Sequence, residues 1–369
     1  MNDEELRFLE ELCNSHGPSG FEGEPTSIIK GKVEGWADRV YTDRIGSLVF
    51  EKGEKGPKVL IPGHVDEIGF IITGVNEKGF LTFHPLGGWF DQVLLGQKVV
   101  VMTSKGKVGG VIAAKPPHLM EKEEAEKVVT KDKMFIDIGC SNRDEVKEMG
   151  VKVGDAAVPD STFSRSTKKA FKDGVSVGDR TLLFSKAFDD RAGAFLSALV
   201  LKRLSEGENH PNTVVGAATV QEEVGLRGAR TVANMVKPDV ALVVDTDIAG
   251  DVPGIEPEKA PSRLGGGVSI LTFDHSMIPN QGLKEMAIQV CEEKEIPYQL
   301  SHVTGGGTDA GVIHISNIGC PSLVICPPVR HIHSHVGIMD LEDLDNTLRL
   351  LVEMVKRLDL ETVEDLVGL

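Results

Sequence analysis

The chain has 369 residues, with 40 Lys or Arg against 56 Asp or Glu, and its formal net charge is therefore −16. An apolar share of 40% supports a large buried core, in one big domain or two, and excludes a disordered chain. The surplus of negative charge argues against a nucleic-acid partner, because binding to a phosphate backbone requires clustered Lys and Arg.

Residues 1–69 predict two helices followed by three strands. Leu6, Leu9 and Cys13 recur at helical spacing up to a break at residues 17–20, and a second helix is expected near Glu24–Val33. The expected strands lie near Arg39–Tyr41, at Ser47–Phe50 and at Lys58–Ile61. The third of these reads as a buried strand that runs into His64.

Residues 70–163 consist of short apolar runs separated by Gly, Asn and Lys turns, which is typical of a small β-barrel or sandwich. The expected strands are Phe70–Thr73, Gly79–Phe83, Lys98–Met102 and Val108–Ala113, and the expected helices are Glu121–Val129 and Asn142–Met149. We interpret this segment as an insertion within a split α/β domain that comprises residues 1–69 and 164–369.

Longer elements return after residue 164. The expected helices are Asp190–Leu204, Leu226–Met235, Gly282–Glu293 and Leu341–Leu358, and the expected strands are Val214–Val220, Val240–Asp245, Ser269–Phe273 and Ser322–Cys326. Strands that alternate with helices predict an α/β layer architecture with a mixed or parallel sheet.

The five cysteines are scattered and include no Cys-x-x-Cys pair, which favours a reducing compartment over a disulfide framework or a zinc ribbon. The acidic start lacks the basic and apolar regions of a signal peptide, and no apolar stretch reaches the length of a membrane span. The sequence therefore predicts a cytoplasmic protein without a membrane partner.

Histidine and acidic residues follow the ends of several predicted strands, where open α/β sheets place their ligand sites. His64 and Asp66 would share one face of an extended segment, so that the carboxylate could orient the imidazole for a metal. A buried His beside a surface Asp is the alternative. Asp190 fits an N-cap of the following helix, whereas Asp189 is not needed for capping and could bridge two cations.

Two adjacent carboxylates, Glu222 and Glu223, follow the apolar strand Val214–Val220. One could bind a metal while the other takes a proton from water, although a solvated acidic loop is an open alternative. After the next strand, Asp245 is the expected ligand, whereas Asp247 and Asp251 are expected to cap or solvate their loop.

Three histidines, His331, His333 and His335, recur at period two and would share one face if they were extended. Either a metal site or a pH-sensitive strip would explain them, and the 11 histidines of the chain favour the metal site. Together with the carboxylates they form a nitrogen and oxygen ligand set without cysteine. Such a set suits two Zn²⁺, Co²⁺ or Mn²⁺ ions that share a carboxylate, about 3.5–4 Å apart.

In these motifs the sequence resembles the co-catalytic metallo-aminopeptidases that assemble into tetrahedral (TET) particles, a family whose members are also called deblocking or glutamyl aminopeptidases and sometimes endoglucanases. The matching segments keep the same order along nearly the whole chain. They are Pro18-Ser19-Gly20-Phe21-Glu22, His64-Val65-Asp66-Glu67-Ile68-Gly69, Phe188-Asp189-Asp190-Arg191, Gln221-Glu222-Glu223-Val224-Gly225, Asp245 with Ala249-Gly250-Asp251, and Arg330-His331-Ile332-His333-Ser334.

The resemblance implies a three-layer zinc-peptidase-like catalytic domain and assigns roles to individual residues. One metal would be held by His64, Asp189 and Asp245, and the second by Asp189, Glu223 and His333, with Asp189 as the bridge. Glu222 would act as general base and acid, Asp66 would orient His64, and the Asp189–Asp190 peptide bond would be cis.

The resemblance also places the segment Gly305–Gly311 beside the cleft, where Gly306, Gly307, Thr308 and Asp309 either meet the substrate or cap a helix. It implies that the insertion, residues 70–163, mediates dimerisation and that dimers build a dodecamer. One departure is Leu264-Gly265-Gly266-Gly267, where many relatives carry a lysine between the glycines.

Hydrolysis of the N-terminal residue from peptides is the leading functional prediction. A metal-dependent amidohydrolase or deacylase acting on small N-acyl compounds would use the same ligands. A glycosidase also needs paired carboxylates, but 14 Phe, 2 Trp and 2 Tyr offer few stacking platforms for sugars, and no histidine cluster is required. A non-catalytic shell protein would keep its assembly without chelator-sensitive hydrolysis.

Overall fold

The computed structural model describes residues 1–172 and 175–367, apart from the side chains of Glu124, Ala125, Lys172 and Val177. The helices are α1 Asp3–Asn14, α2 Gly23–Val33, α3 Lys122–Ala125, α4 Arg143–Glu148, α5 Phe188–Ser205, α6 Arg227–Val236, α7 Gln281–Glu293, α8 Ala310–Ile313, α9 Leu341–Arg357 and α10 Leu360–Asp365. The strands are β1 Arg39–Thr42, β2 Leu48–Lys52, β3 Lys58–His64, β4 Gly69–Val75, β5 Leu81–Leu86, β6 Lys98–Thr103, β7 Gly106–Ala113, β8 Phe135–Asp137, β9 Ala156–Pro159, β10 Ser164–Lys172, β11 Val175–Ser185, β12 Thr213–Thr219, β13 Val240–Val244, β14 Asp247–Ile248, β15 Val268–Asp274, β16 Tyr298–Val303, β17 Ser322–Cys326, β18 Pro328–Arg330 and β19 Gly337–Asp340.

Eight of the described strands form a mixed sheet in the order β1-β2-β12-β3-β13-β17-β15-β16. Its central strands β12, β3, β13 and β17 are parallel and almost entirely buried, because helices cover both faces. Helices α1, α2, α5, α7 and α9 pack on one face, and α6 and α8 pack on the other. The three-layer α/β prediction is confirmed.

A closed barrel of the strands β4-β5-β8-β7-β6-β9 is inserted directly after the loop that follows β3. Phe70, Ile72, Val99 and Ile136 are completely or almost completely buried inside it. The β-rich prediction for this part of the chain is therefore correct in type. The expected helix Glu121–Val129 is only the short α3, whereas Asn142–Met149 agrees closely with α4.

A second sheet, with the strand order β10-β11-β19-β18-β14, lies outside the predicted elements. It supplies the strand β18, after which the chain leads to His333. Among the described residues, no helix combines the length and the apolar character needed to cross a membrane.

The first helix is fastened to α5 by the buried carboxylate of Glu5, which is 3% exposed. One of its oxygens accepts hydrogen bonds from Lys202 Nζ at 2.8 Å and from Arg203 Nη1 at 2.6 Å, and the other accepts from the N–H of Asn2. Burial alone would raise the pKa of Glu5, but these partners lower it from 4.5 to about 2.

We expect Glu5→Gln to lower the free energy of unfolding by about 1.5–3 kcal/mol at pH 7, because hydrogen bonds to a charged group are lost. The folded-state pKa lies below the unfolded one, so this contribution is complete above pH 4.5 and disappears as the pH falls towards 2. Urea unfolding at pH 7, 4 and 3 measures it, with the exposed Glu10→Gln on the same helix as control. A difference between the two variants that stays constant with pH would contradict the prediction.

Candidate metal centre

The candidate ligands meet where the parallel strands of the central sheet end. His64 is the last residue of β3, the pair Glu222 and Glu223 follows β12, and Asp245 directly follows β13. These three strands are parallel neighbours, so their carboxyl ends lie at one edge of the sheet. The first turn of α5 brings Asp189 to the same place.

Asp189 lies between two histidines. Its Oδ1 is 3.1 Å from Nε2 of His64, and its Oδ2 is 3.2 Å from Nε2 of His333. Nε2 of His64 is also 3.7 Å from Oε2 of Glu222, and Nε2 of His333 is 3.6 Å from Oε1 of Glu223. The two oxygens of one carboxylate thus face two separate imidazoles.

Two overlapping sets of donor atoms, each within 4.8 Å of one another, could hold a metal ion: His64 with Asp189 and Glu223, and His64 with Glu222 and Asp245. The first set shares two residues with one of the ligand groups implied by the resemblance, and the second set brings Asp245 beside His64. Imidazole nitrogens and carboxylate oxygens suit Zn²⁺, Co²⁺ or Mn²⁺.

The carboxylates of this cluster are electrostatically unfavourable without a cation. Burial, with the neighbouring Asp189 charge, raises the pKa of Glu223 to about 8 and that of Asp245 well above its ordinary value. Burial raises the pKa of Glu222 strongly as well, although nearby His64 opposes the shift. Oε1 of Glu223 is buried and has no hydrogen-bond partner. An unpaired buried oxygen among repelling carboxylates fits a bound cation.

Asp66 connects the histidine to the glutamate pair, in a way that differs in detail from the expectation. Nδ1 of His64 lies 3.1 Å from the main-chain oxygen of Asp66 and 3.5 Å from its carboxylate. The carboxylate accepts hydrogen bonds from the N–H groups of Glu222 and Glu223 and from the hydroxyl of Ser19. Asp66 therefore positions both sides of the cluster.

The peptide bond between Asp189 and Asp190 is cis. Asp190 is fully buried and accepts hydrogen bonds from the N–H of His64 at 3.0 Å and from the N–H of Gly193 at 2.9 Å. The second bond is of the helix-capping kind expected for Asp190, and Asp189 takes no part in it.

The three neighbouring histidines do not share a face, because the segment is not extended. His331 and His333 have left-handed backbone conformations, with φ of 62° and 55°. Only His333 is in contact with Asp189 and Glu223, whereas His335 is buried and packs on Trp89, with ring centroids 5.3 Å apart. The period-two interpretation is therefore wrong, although it pointed to the correct segment.

The glycine-rich segment lies at the margin of the cluster. Asp309 is buried, accepts a hydrogen bond from the Thr219 hydroxyl at 2.5 Å and leaves Oδ1 without a partner. Thr308 donates to Asp274 at 3.0 Å, and the carbonyl of Gly306 accepts from the N–H of His275. Part of this segment is thus engaged with the fold.

Sequence reasoning missed three groups around the cluster. Glu67 is buried between Lys186 and Arg191, the hydroxyl of Ser19 supports Asp66, and the carbonyl of Gly88 accepts a hydrogen bond from Nδ1 of His333 at 2.7 Å. The motif Pro18-Ser19-Gly20 was a signal for Ser19, but it was interpreted as a helix break. A main-chain carbonyl leaves no signal in residue type.

The profile of the M42 glutamyl aminopeptidase family matches residues 46–350. The chain is 52% identical to a TET aminopeptidase from the marine sediment archaeon Thaumarchaeota archaeon SCGC AB-539-E09, with a TM-score of 0.93 over 99% of both chains. It is 32% identical to the TET1 peptidase of Pyrococcus horikoshii, which can assemble into a tetrahedron or a large octahedral shell, with a TM-score of 0.83 over 96% of this chain and 99% of that one. It is also 30% identical to the lysyl aminopeptidase of Pyrococcus furiosus, over 97% of this chain and 99% of that protein.

Proposed function

The chain belongs to the M42 glutamyl aminopeptidase family and is an aminopeptidase, and from this premise we propose that it works with two divalent cations that share Asp189 and with Glu222 as general base. The observation that carries the proposal is that the two oxygens of Asp189 face the Nε2 atoms of His64 and His333. A bridging carboxylate has this arrangement.

Five side chains would hold the cations. In this proposal His64, Asp189 and Asp245 bind one, and Asp189, Glu223 and His333 bind the other. When bound, such a pair of Zn²⁺, Co²⁺ or Mn²⁺ ions activates water as a nucleophile and polarises the scissile carbonyl. The unpartnered Oε1 of Glu223 and the raised pKa values of Glu223 and Asp245 support this assignment.

The carboxylate of Glu222 would take the proton of the attacking water and deliver it to the departing amine. Its Oε2 lies at the cluster, 3.7 Å from Nε2 of His64, and its N–H donates to Asp66, which fixes the start of the side chain. Burial raises the pKa of Glu222 well above its ordinary value, as is typical of groups that hold a proton during catalysis.

An acidic site suits a substrate with a free α-amine. We assign the segment with Gly306, Gly307, Thr308 and Asp309 to the border of the substrate, because Oδ1 of Asp309 is buried without a partner beside the cluster. The family name and the lysyl aminopeptidase of Pyrococcus furiosus point to different N-terminal residues, so the preferred side chain is a question for the substrate panel below.

Residues 70–163 would form the dimerisation domain, and residues 1–69 with 164–369 the catalytic domain. Phe90, Leu95 and Leu119 expose 61%, 40% and 71% of their surface on the inserted segment, which supports contact with a second copy. Because the TET1 peptidase of Pyrococcus horikoshii assembles into closed shells, we assign a dodecamer of dimers to this chain.

The five cysteines are unpaired, and Cys13, Cys291, Cys320 and Cys326 are buried. This supports a reducing compartment, and we assign the protein to the cytoplasm.

Removal of metal tests the proposal. We expect a chelator to lower the release of single N-terminal residues from aminoacyl-p-nitroanilides and short peptides by at least about 100-fold, since no other group in the proposed site supplies the lost charge stabilisation. Added Zn²⁺, Co²⁺ or Mn²⁺ should restore it, and the panel of N-terminal residues gives the preference.

The same panel includes N-acylated peptides as control. Turnover of these substrates alone would overturn the aminopeptidase mechanism in favour of an amidohydrolase, and unchanged hydrolysis after metal analysis has verified removal would overturn the metal-dependent mechanism.

A further inference from the structure

A loop of the barrel reaches the candidate metal centre. Residues Gly87–Trp89 connect β5 to the barrel's next turn, and the carbonyl of Gly88 accepts a hydrogen bond from Nδ1 of His333 at 2.7 Å. With its proton on Nδ1, the imidazole directs the lone pair of Nε2 towards Asp189 and Glu223, which lie 3.2 and 3.6 Å away.

The approach of this loop requires glycine. A Cβ on Gly87 would lie 2.5 Å from Cγ2 of Ile68 and 2.9 Å from Oε2 of Glu223, and Gly87 has a φ of +82°. A Cβ on Gly88 would lie 3.0 Å from Nδ1 of His333. Two consecutive glycines thus bring the barrel backbone into contact with two proposed ligands.

The loop is held by the barrel itself. The indole N–H of Trp89 donates to the carbonyl of Gly69 at 3.0 Å, and its ring stacks on Phe70 with centroids 4.9 Å apart. The opposite partner is less regular, because His333 has a left-handed backbone outside any strand. The orientation of His333 therefore depends on a rigid neighbour.

We propose that the barrel loop Gly87–Trp89 is a positioning element for His333 and that the barrel thereby sets the affinity of the second cation. This inference rests on the proposed function, because it takes His333 as a ligand. It assigns the inserted segment a part in the chemistry of the site in addition to any role in association.

The test compares two glycine-to-alanine variants of the barrel. Gly87 and Gly96 both have positive φ, +82° and +78°, but a Cβ on Gly96 has no atom within 4 Å. Backbone strain is thus matched, and only Gly87→Ala moves the loop away from Glu223 and His333. Calorimetric titration of the metal-free protein with Zn²⁺, and the visible spectrum of the Co²⁺-loaded protein, measure the two sites without reference to turnover.

We expect Gly87→Ala to weaken the second binding event by about 10–100-fold, the usual effect of losing an outer partner of a ligand, and to leave the first event unchanged. Gly96→Ala should titrate like the parent. Trp89→Phe, which keeps the ring and removes the donor to Gly69, should weaken the same event to a smaller extent, and it decides the matter if Gly87→Ala does not fold.

Two cations bound with parental affinity in Gly87→Ala, or equal losses in Gly87→Ala and Gly96→Ala, would overturn the positioning role alone. If Gly87→Ala does not fold, parental affinity in Trp89→Phe would do the same. Failure of the parent protein to bind any cation would overturn the proposed function as well.

Discussion

Replacement of Glu222 by glutamine should lower kcat by about 10²–10⁴-fold while the fold and the binding of cations remain. The amide has nearly the same shape as the carboxylate but cannot take a proton from water. The N–H of Glu222 would still donate to Asp66, so the loop stays in place. The measurements are kcat for a cleaved peptide, the midpoint of thermal unfolding, and the stoichiometry of bound Zn²⁺.

Glu22→Gln provides the matched control. Glu22 is also a buried glutamate whose pKa is raised, to about 7, by burial and by Asp66, and it accepts hydrogen bonds from the N–H groups of Gly20 and Gln221. It is absent from both sets of donor atoms that could hold a metal. We expect a change in kcat of less than about 10-fold. Normal turnover in Glu222→Gln would remove Glu222 from the mechanism.

The second large effect concerns stability. The carboxylate of Glu67 is buried and accepts hydrogen bonds from Lys186 Nζ at 2.6 Å and from Arg191 Nη2 at 2.9 Å. Both cations are also fully buried, and burial lowers the pKa of Lys186 to about 8 even beside Glu67, because Arg191 shares the same carboxylate. The three side chains tie the loop after β3 to the start of α5.

We expect Glu67→Gln to lower the free energy of unfolding by about 3–5 kcal/mol at pH 7, since it leaves two buried cations without an anion. Lys186→Met should cost clearly less, because Glu67 and Arg191 then remain as a neutral pair. Denaturant unfolding of both variants measures the difference. A loss in Lys186→Met as large as that in Glu67→Gln would show that contacts of the lysine, and not uncompensated charge, hold the two loops together.

The central strands and the ligand segments were predictable because both have local signals. Strands β3, β12, β13 and β17 are short apolar runs, as expected of strands buried on both faces. Each is followed closely by a polar residue at its carboxyl end, or leads to one after an intervening strand in the case of β17, and the parallel sheet then brings these residues together.

The second sheet was missed because its hairpin has no apolar face. All residues of Ser164–Lys169 are exposed, so the hairpin shows none of the alternation by which a half-buried strand is identified. The conformation of His331 and His333 was missed for another reason. A positive φ at a residue other than glycine is determined by tertiary contacts, and the sequence pattern then favours an extended segment that does not exist.

The partners around the ligands were also beyond the sequence. Lys186 and Arg191 would be placed at the surface by composition alone, since such residues are rarely buried unless they are paired. Their burial depends on Glu67, which is far away in the chain and close only in the fold.

Closure of the barrel has a consequence for how this protein can vary. The six described barrel strands pair with one another in a ring, so a neighbouring molecule cannot extend them by main-chain pairing and must recognise outward side chains such as Phe90 and Leu119. Substitutions on that outer surface can therefore change which molecules associate while the ring of strands persists. The one part of the barrel without this freedom is Gly87–Trp89, where a change made for the sake of assembly would also reach the ligands.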